Sequence, residues 1–189
     1  MDDYLEDVAD LSISAWEDPG YGERNFTNCR FEGCDLSEVH FSGILDSCRF
    51  RDCNLSLTSF LDAKLQGVKF ETCKLVGVDF TRCNALALSI SFSHCLLRSC
   101  NFNFLELKKT GYLNCEIIET DFIGCNLSEG NFSEAVFTNV NFHNTNLSKA
   151  KFNNAHGYAI NPLTNTLMGA TFCLPDAVSL LECMGITLL

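Results

Sequence analysis

The sequence lacks any hydrophobic run long enough to cross a membrane. No apolar stretch among its 189 residues approaches the ~20 that a spanning helix requires. Residues 1–23 hold eight acidic and no basic residues, so the chain does not open with the basic and then apolar pattern of a secretory signal peptide. We therefore expect a single soluble domain in the cytoplasm, without membrane contact.

The sequence also lacks the short motifs that carry most enzyme chemistry. It contains no Gly-x-Ser-x-Gly elbow, no P-loop and no His-Glu-x-x-His. Its four histidines are scattered and do not join closely spaced cysteine pairs in a zinc pattern. We expect no catalysis, no metal and no cofactor.

What the sequence does contain is a large apolar residue at every fifth position from about Phe26 to Phe152. Of the 16 phenylalanines, all but Phe104 and Phe172 follow this period. Neither a helix nor a flat strand explains it, because their side-chain periods are 3.6 and 2. A chain that turns a corner every five residues does explain it, and such units bury their apolar sides only by stacking on one another. The sequence predicts a solenoid.

Four segments resemble the pentapeptide repeat. They are Cys-Asn-Leu-Ser at 53–56, Val-Asp-Phe-Thr at 78–81, Cys-Asn-Leu-Ser at 125–128 and Thr-Asn-Leu-Ser at 145–148. The pentapeptide repeat family folds as a right-handed quadrilateral β-helix, so the resemblance implies an all-β solenoid with four faces and a coil of about 20 residues.

Stacking every fourth large apolar residue tests that coil length. The five-residue period is interrupted twice. One residue is missing between Phe41 and Phe50, where Leu45 is the predicted inward residue, and two residues are extra between Phe80 and Phe92, where Leu86 is the predicted inward residue. The four resulting columns, which alternate between aliphatic and aromatic, are Phe26, Leu45, Leu65, Leu86, Leu107, Leu127 and Leu147; Phe31, Phe50, Phe70, Phe92, Tyr112, Phe132 and Phe152; Leu36, Leu55, Leu75, Leu97, Ile117 and Phe137; and Phe41, Phe60, Phe80, Phe102, Phe122 and Phe142. At ~4.8 Å per coil, they predict about six to seven coils and a rod on the order of 30 Å long.

Most of the twelve cysteines occupy one position of the repeat. Nine lie two residues before a column member, where the repeat places a small inward side chain. Five of them should share one face: Cys34, Cys53, Cys73, Cys95 and Cys115. Because a free cysteine behaves as a small buried hydrophobe, we interpret them as core residues rather than disulfides or metal ligands.

The two ends of the chain differ from the repeats in charge. Residues 1–23 carry a net charge of −8 and residues 110–189 carry −5, whereas residues 24–109 carry +2. Since a solenoid needs caps over its open ends, we expect an acidic N-terminal cap at 1–23, the β-helix at 24–157 and a C-terminal cap and dimerisation module at 158–189. The N-terminal segment fits either a short acidic amphipathic helix or a solvated tail.

Residues 174–185 predict a helix, with Pro175 in its first turn, Asp176 favoured by the dipole and Gly185 as its stop. A short apolar strand is expected after it, at 186–189. The apolar residues of this segment need a cover, which a second copy related by two-fold symmetry would supply. The candidate dimer interface consists of Leu174, Val178, Leu181, Met184, Ile186 and Leu188.

The C-terminal module resembles the helix and strand that dimerise pentapeptide repeat proteins conferring resistance to gyrase inhibitors. Ile160-Asn161-Pro162 and Met184-Gly185 resemble the microcin immunity proteins of that group. The resemblance implies a DNA mimic that binds DNA gyrase or topoisomerase IV and protects it from a poison. Such a protein does not bind nucleic acid itself; its carboxylates replace phosphates in the cationic site of the enzyme.

If two chains join through their C termini, residues 110–189 lie at the centre of the rod. The candidate partner-binding residues are Glu116, Glu119, Asp121, Glu129 and Glu134. The alternative is a binding or structural scaffold with an unrelated partner, because a fold does not dictate a function. Quinolone-protecting relatives carry longer loops than the two-residue excess near 84–91, which favours self-immunity against a peptide or natural-product poison.

Overall fold

A computed structural model of the protein describes residues 7–14, 22–86 and 88–187. The described chain forms a parallel β-solenoid of about eight turns with one short C-terminal helix. Its strands are β1 (Asp7–Ala9), β2 (Ser12–Ile13), β3 (Asn25–Thr27), β4 (Arg30–Glu32), β5 (Ile44–Asp46), β6 (Arg49–Arg51), β7 (Lys64–Gln66), β8 (Val68–Glu71), β9 (Lys74–Val76), β10 (Ile90–Ser93), β11 (Leu96–Arg98), β12 (Tyr112–Leu113), β13 (Glu116–Ile118), β14 (Val136–Thr138), β15 (Lys151–Phe152) and β16 (Thr171–Phe172). A 3-10 helix spans Phe80–Arg82, and helix α1 spans Val178–Glu182.

Strands of successive coils pair in parallel, one above the other. Three sheets run along the rod, in the orders β1-β3-β5-β7, β12-β10-β8-β6-β4-β2 and β14-β13-β11-β9, and β15 pairs with β16. Isolated parallel bridges continue the stacking between strands, for example from Asp79 to Asn101 and from Asn101 to Asp121. The solenoid fold expected from the five-residue period is confirmed.

The corners explain how so short a repeat can turn. Two residues after most inward apolar residues, the backbone enters the left-handed region, and twenty residues other than glycine have a positive φ in the described chain. The corner amides remain paired with the next coil: the Asn28 amide donates to the Asp46 carbonyl at 2.8 Å and the Ser47 amide to the Gln66 carbonyl at 2.7 Å. These hydrogen bonds offset part of the cost of the left-handed conformation.

Each predicted column defines one face of the rod, and we name the faces by their first predicted members: the Phe26, Phe31, Leu36 and Phe41 faces. They follow one another in this order along the chain, so the Phe31 face lies opposite the Phe41 face. On the Phe31 face, Phe50 pairs in register with Phe70 and Phe70 with Phe92, as predicted. Ile13 and Phe172 extend this column at its two ends.

The two aromatic columns meet in the centre of the core. Rings of the Phe41 face stack at centroid distances of 4.8 Å between Phe80 and Phe102 and 5.0 Å between Phe102 and Phe122. Rings from the opposite column meet them edge to face, as Tyr112 meets Phe102 at 6.0 Å and 90°. The alternating stacked and edge-to-face contacts are the geometries that aromatic quadrupoles favour.

One predicted column member is wrong. Leu86 is 82% exposed, and Leu88, not Leu86, packs against the core. The two extra residues between Phe80 and Phe92 therefore form an outward excursion around Leu86, after which β10 resumes the register at Ile90. Both leucines satisfy the apolar pattern, so the period alone could not choose between them.

The ends of the chain also differ from the expectation. In the described part of the N-terminal segment, residues 7–13 form strands β1 and β2, which pair with β3 and β4, and not an amphipathic helix or a solvated tail. Coil pairing also continues through Phe172, and these additions account for about eight turns instead of six to seven. Helix α1 is shorter than predicted, because three successive amides at its start, those of Val178, Ser179 and Leu180, bond to carbonyls only three residues before them.

The cysteines pack inward as expected. Ten of the twelve are buried, and all twelve are free thiols. The Cys53 thiol donates to the Phe31 carbonyl at 3.3 Å and the Cys95 thiol to the Phe70 carbonyl at 3.4 Å, each one coil away. Burial raises the pKa of Cys48 to about 12, so this thiol stays protonated at neutral pH.

Candidate functional site

Three of the five predicted partner-binding carboxylates lie together on one coil. Glu116 is on strand β13 of the Leu36 face, and Glu119 occupies the corner that follows. Asp121 is on the adjoining Phe41 face, where it bridges to Asn101 below and Asn141 above. Glu116 and Glu119 are exposed and Asp121 is half-buried. The structure therefore assembles these three side chains around one edge of the rod.

The other two predicted carboxylates point elsewhere. Glu134 occupies the corner between the Phe31 and Leu36 faces, and Glu129 occupies the corner diagonally opposite Glu119. Glu129 lies 3.1 Å from the Lys108 ammonium and 3.8 Å from that of Lys109. The hydrogen bond from Lys108 lowers the pKa of Glu129, and the two lysines neutralise its charge. A single flat partner cannot contact all five residues of one chain.

The Phe41 face carries further carboxylates that the sequence analysis did not single out. Between residues 38 and 144, this face and its two corners hold five carboxylates and one guanidinium. Glu38, Asp62 and Asp79 join the predicted Glu119 and Asp121 there, and the cation is Arg82. The sequence does contain the signal that identifies these carboxylates. The position of a charged residue relative to the nearest inward apolar residue determines the face on which it lies.

The opposite side of the rod is cationic. Counted in the same way with its two corners, the Phe31 face holds seven cations and five carboxylates between residues 28 and 154. The cations are Arg30, Arg49, Arg51, Lys69, Lys109, Lys149 and Lys151, and the carboxylates are Glu32, Asp52, Glu71, Glu129 and Glu134. Arg49 lies 3.4 Å from Glu71 and Arg51 lies 3.6 Å from Asp52. The near-neutral total of residues 24–109 thus conceals a charge difference across the rod, acidic on one side and basic on the other.

Local hydrogen bonds fix the polar side chains of the Phe41 face. The Asp79 carboxylate accepts from the Thr81 amide at 3.0 Å and from the Thr81 hydroxyl at 2.6 Å. Asn103 accepts from the Ile123 amide of the next coil at 2.8 Å. The Ser99 hydroxyl donates to Glu119 at 3.4 Å. A face held in this way presents its charges at defined positions before any partner binds.

The C-terminal module is attached to the last coil by polar contacts. The Asp176 carboxylate accepts from the Gly157 amide at 3.0 Å and lies 2.8 Å from Nδ1 of His156. The Ser179 hydroxyl donates to the Tyr158 carbonyl at 2.9 Å. These contacts place the amino end of α1 over the solenoid and leave the far side of the helix open to solvent.

The predicted dimer residues that are described lie at the surface or close to it. Leu174 is 80% exposed, Leu181, Met184 and Ile186 are about half as exposed as that, and Val178 is half-buried. Ile186 does not begin a strand, and Leu188 lies outside the described residues. The described members are thus accessible apolar side chains near the C-terminal end of the solenoid.

Two structural absences apply to the described parts of the chain. No helix there is long and apolar enough to cross a membrane. No group of three or more histidine, cysteine or acidic side chains in those parts has the arrangement of a metal site.

The chain was compared with known families and structures. A family model for the pentapeptide repeat region matches residues 24–102, and a model for eight copies of the pentapeptide repeat matches residues 115–154. No curated protein matches the sequence. The fold is similar to that of a trypsin-treated variant of QnrB1, a plasmid-mediated fluoroquinolone resistance protein, with a TM-score of 0.70 and 19% identity over 96% of this chain and 99% of that chain. A second trypsin-treated QnrB1 variant gives a TM-score of 0.64 and 17% identity over 98% of each chain. Because the two family models together cover well over half of its residues, the chain belongs to the pentapeptide repeat family.

Proposed function

We propose that this protein is a DNA mimic that binds DNA gyrase or topoisomerase IV and protects the enzyme from a poison. The observation that carries the proposal is the acidic Phe41 face along the solenoid. A cationic groove that binds duplex phosphate attracts any rod of similar width that presents negative charge at fixed positions. The likeness of the fold to QnrB1, whose name describes fluoroquinolone resistance, supports the same class of function.

The density of charge sets a limit on this mimicry. The column from Phe41 to Phe142 covers five coil steps, or ~24 Å. A duplex of that length carries ~14 phosphates. The Phe41 face with its corners offers five carboxylates and one guanidinium over the same distance. Charge therefore reproduces only part of the attraction of DNA, and contacts of another kind are needed for affinity.

The proposal includes dimerisation through the C-terminal module. Leu181, Met184 and Ile186 would meet their copies across a two-fold axis, which covers the same apolar surface on both chains. The dimer would double the length of the rod. A cytoplasmic location belongs to the same proposal, and twelve free thiols fit that reducing compartment.

A supercoiling assay with purified gyrase tests the proposal. The protein is titrated with and without a gyrase poison, and we expect it to restore supercoiling in the presence of the poison and to inhibit supercoiling at higher dose. Replacing Glu116, Glu119 and Asp121 with their amides should weaken both effects. The matched control is Glu129→Gln, because Lys108 and Lys109 already neutralise this carboxylate. If the wild-type protein has no effect at high micromolar concentration, the result would favour the alternative function, a scaffold with an unrelated partner.

A further inference from the structure

Two large apolar side chains project from the corners that border the Phe41 face. Leu57, at the corner shared with the Leu36 face, is 57% exposed, and Phe104, at the corner shared with the Phe26 face, is 77% exposed. Both have left-handed backbones, with φ of 60° and 61°. Other coils place small or polar residues at these two corners: Glu38, Gly77, Ser99, Glu119 and Asn139 at the first, and Asp62, Arg82, Gly124 and Asn144 at the second.

Neither side chain is required by the fold. A bulky residue in the left-handed region costs more than asparagine or glycine, and neither Leu57 nor Phe104 contributes to the buried core. A leucine and a phenylalanine at these positions therefore carry a cost in folding without the benefit of burial. Binding to a partner that covers them would offset that cost.

A glycine in the next coil leaves space for each of these side chains, Gly77 for Leu57 and Gly124 for Phe104, and we call this space the seat of the side chain. A Cβ at Gly77 would lie 2.8 Å from Cδ2 of Leu57, and a Cβ at Gly124 would lie 2.6 Å from Cδ1 of Phe104. Each apolar side chain thus lies along the rod in the space above a glycine, instead of extending freely into solvent. A side chain held in this way loses little conformational freedom when a partner covers it.

The two seats lie close to acidic residues of the Phe41 face. Leu57 and Phe104 belong to coils separated by one intervening coil, whose Phe80 ring stacks 5.6 Å from Phe60 and 4.8 Å from Phe102. Asp79 is on the Phe41 face of that intervening coil, beside the Gly77 seat, and Arg82 is at the far corner of the same coil; Asp121 is one coil beyond Phe104. The face therefore presents Asp79 between the levels of two apolar groups and Asp121 beyond them.

We infer that the Phe41 face docks onto a protein groove that offers apolar pockets beside its cationic groups, with Phe104 and Leu57 as the apolar anchors. The inference rests on the proposed function and specifies the chemistry of the gyrase surface that receives the rod. Exposed aromatic and aliphatic anchors in a polar surround are the composition of binding hot spots. They also supply the contacts that the sparse carboxylates cannot.

A second copy of this chain is a poor occupant of the same face. In a two-fold contact each chain presents the same patch, so the carboxylates of one Phe41 face would lie against those of the other. Like charges brought together in this way repel. A cationic partner has the opposite sign and meets both the charged and the apolar parts of the surface.

Asparagine substitutions test the inference without disturbing the corners. Asn139 and Asn144 already occupy the same two corners in other coils with φ of 53° and 54°, so Leu57→Asn and Phe104→Asn should fold normally. We expect Phe104→Asn to weaken binding to immobilised gyrase at least about tenfold and Leu57→Asn somewhat less. Leu113→Asn, on the opposite Phe31 face and 38% exposed, is the control and should bind within about twofold of wild type.

The outcomes separate the inference from the proposed function. Wild-type binding that survives both asparagine substitutions unchanged overturns the inference and leaves the proposed function standing. A wild-type protein that does not bind gyrase overturns both. A change in the mass of the free protein on Phe104→Asn, measured by light scattering, would show that a second copy covers this face and would also overturn the inference.

Discussion

At the scale of single residues, the described core contains two hydroxyl groups that the fold does not satisfy, those of Tyr112 and Tyr158. Tyr112 is fully buried in the Phe31 column, and its hydroxyl has no hydrogen-bond partner. Its ring stacks on Phe92 at a centroid distance of 5.3 Å and on Phe132 at 4.8 Å. Stacked phenylalanine pairs elsewhere in the core have similar distances, such as 4.5 Å for Phe31 and Phe50 and 5.6 Å for Phe41 and Phe60. Burial raises the pKa of Tyr112 far above its usual range, so the group stays neutral.

We predict that Tyr112→Phe stabilises the protein. The substitution keeps the stacked ring and removes a buried polar atom whose desolvation costs about 1–3 kcal/mol. Urea unfolding followed by circular dichroism should show a higher midpoint than the wild type. Phe92→Tyr, which adds an oxygen to the neighbouring ring of the same column, is the matched control and should lower the midpoint. A lower midpoint for Tyr112→Phe would mean that the hydroxyl has a partner.

The thiols provide a second prediction at this scale. Nine cysteines fill the inward small position, where burial raises the pKa of thiols such as Cys34 and Cys125 to about 11 and disfavours the reactive thiolate. For Cys115, which is equally buried, the hydrogen bond with Cys95 lowers the pKa instead. Titration of the folded protein with a thiol reagent should show a fast reaction for Cys173 and Cys183 only, which are half-buried. All twelve should react after denaturation. Bound zinc released on denaturation would contradict the interpretation of the cysteines as core residues.

The sequence predicted most residue positions because a five-residue period states directly which side chain points inward. It failed at Leu86, where two inserted residues left two leucines compatible with the pattern. It also passed over Val8 and Ile13, which are five residues apart and continue the repeat into β1 and β2. There the dense acidic residues made a surface helix or tail the more natural interpretation.

At the scale of elements, Asp176 connects the C-terminal module to the last coil. The hydrogen bond from His156, and then that from the Gly157 amide, lower the pKa of Asp176 below its ordinary 3.8. A carboxylate with a lowered folded pKa contributes stability above its unfolded pKa, and this contribution is lost as the pH falls through the folded value. The attachment should therefore be complete at neutral pH and weaken in strong acid.

We predict that Asp176→Asn loosens the module at neutral pH while the solenoid stays intact. Hydrogen exchange of the amides in residues 173–187 should become faster, by about threefold or more, because a charged acceptor is replaced by a neutral one. Exchange in residues 90–152 should not change. Glu182→Gln, at the end of helix α1 in the same module, is the control. Equal effects of the two substitutions would show that Asp176 does not hold the module.

Dimerisation is the second prediction for this element. Glutamate at both Leu181 and Met184 should give a monomer, because a two-fold interface receives each new charge twice. Light scattering measures the mass, and the same double change at Leu57 and Leu113, far from the module, is the control. A wild-type monomer, or an unchanged mass in the double variant, would reject this interface.

At the scale of the whole molecule, the distribution of charge around the rod matters more than its distribution along the chain. Counting by segments predicted a central patch of Glu116, Glu119, Asp121, Glu129 and Glu134, since residues 110–189 carry −5. The fold turns successive residues onto different faces every five positions, so a count along the chain mixes opposite sides of the rod. The acidic Phe41 face and the basic Phe31 face appear only when each coil is folded onto the next.

The last prediction separates the charge of one face from net charge. Glu38→Gln, Asp62→Asn and Asp79→Asn remove three carboxylates from the Phe41 face, whereas Glu32→Gln, Glu71→Gln and Glu129→Gln remove three from elsewhere on the rod. Both triple variants change the net charge of −11 by the same amount.

If the Phe41 face binds the partner, only the first variant should bind gyrase more weakly, by about threefold to tenfold for three exposed charges. The wild-type affinity should fall as the Debye length shrinks from ~10 Å at 0.1 M salt to ~3 Å at 1 M, and that dependence should be shallower in the first variant. Deletion of residues 2–6 removes three more acidic groups ahead of β1 and should have little effect. Equal losses for both triple variants would mean that gyrase responds to net charge alone, and a loss confined to the deletion would make the acidic N-terminal segment the contact.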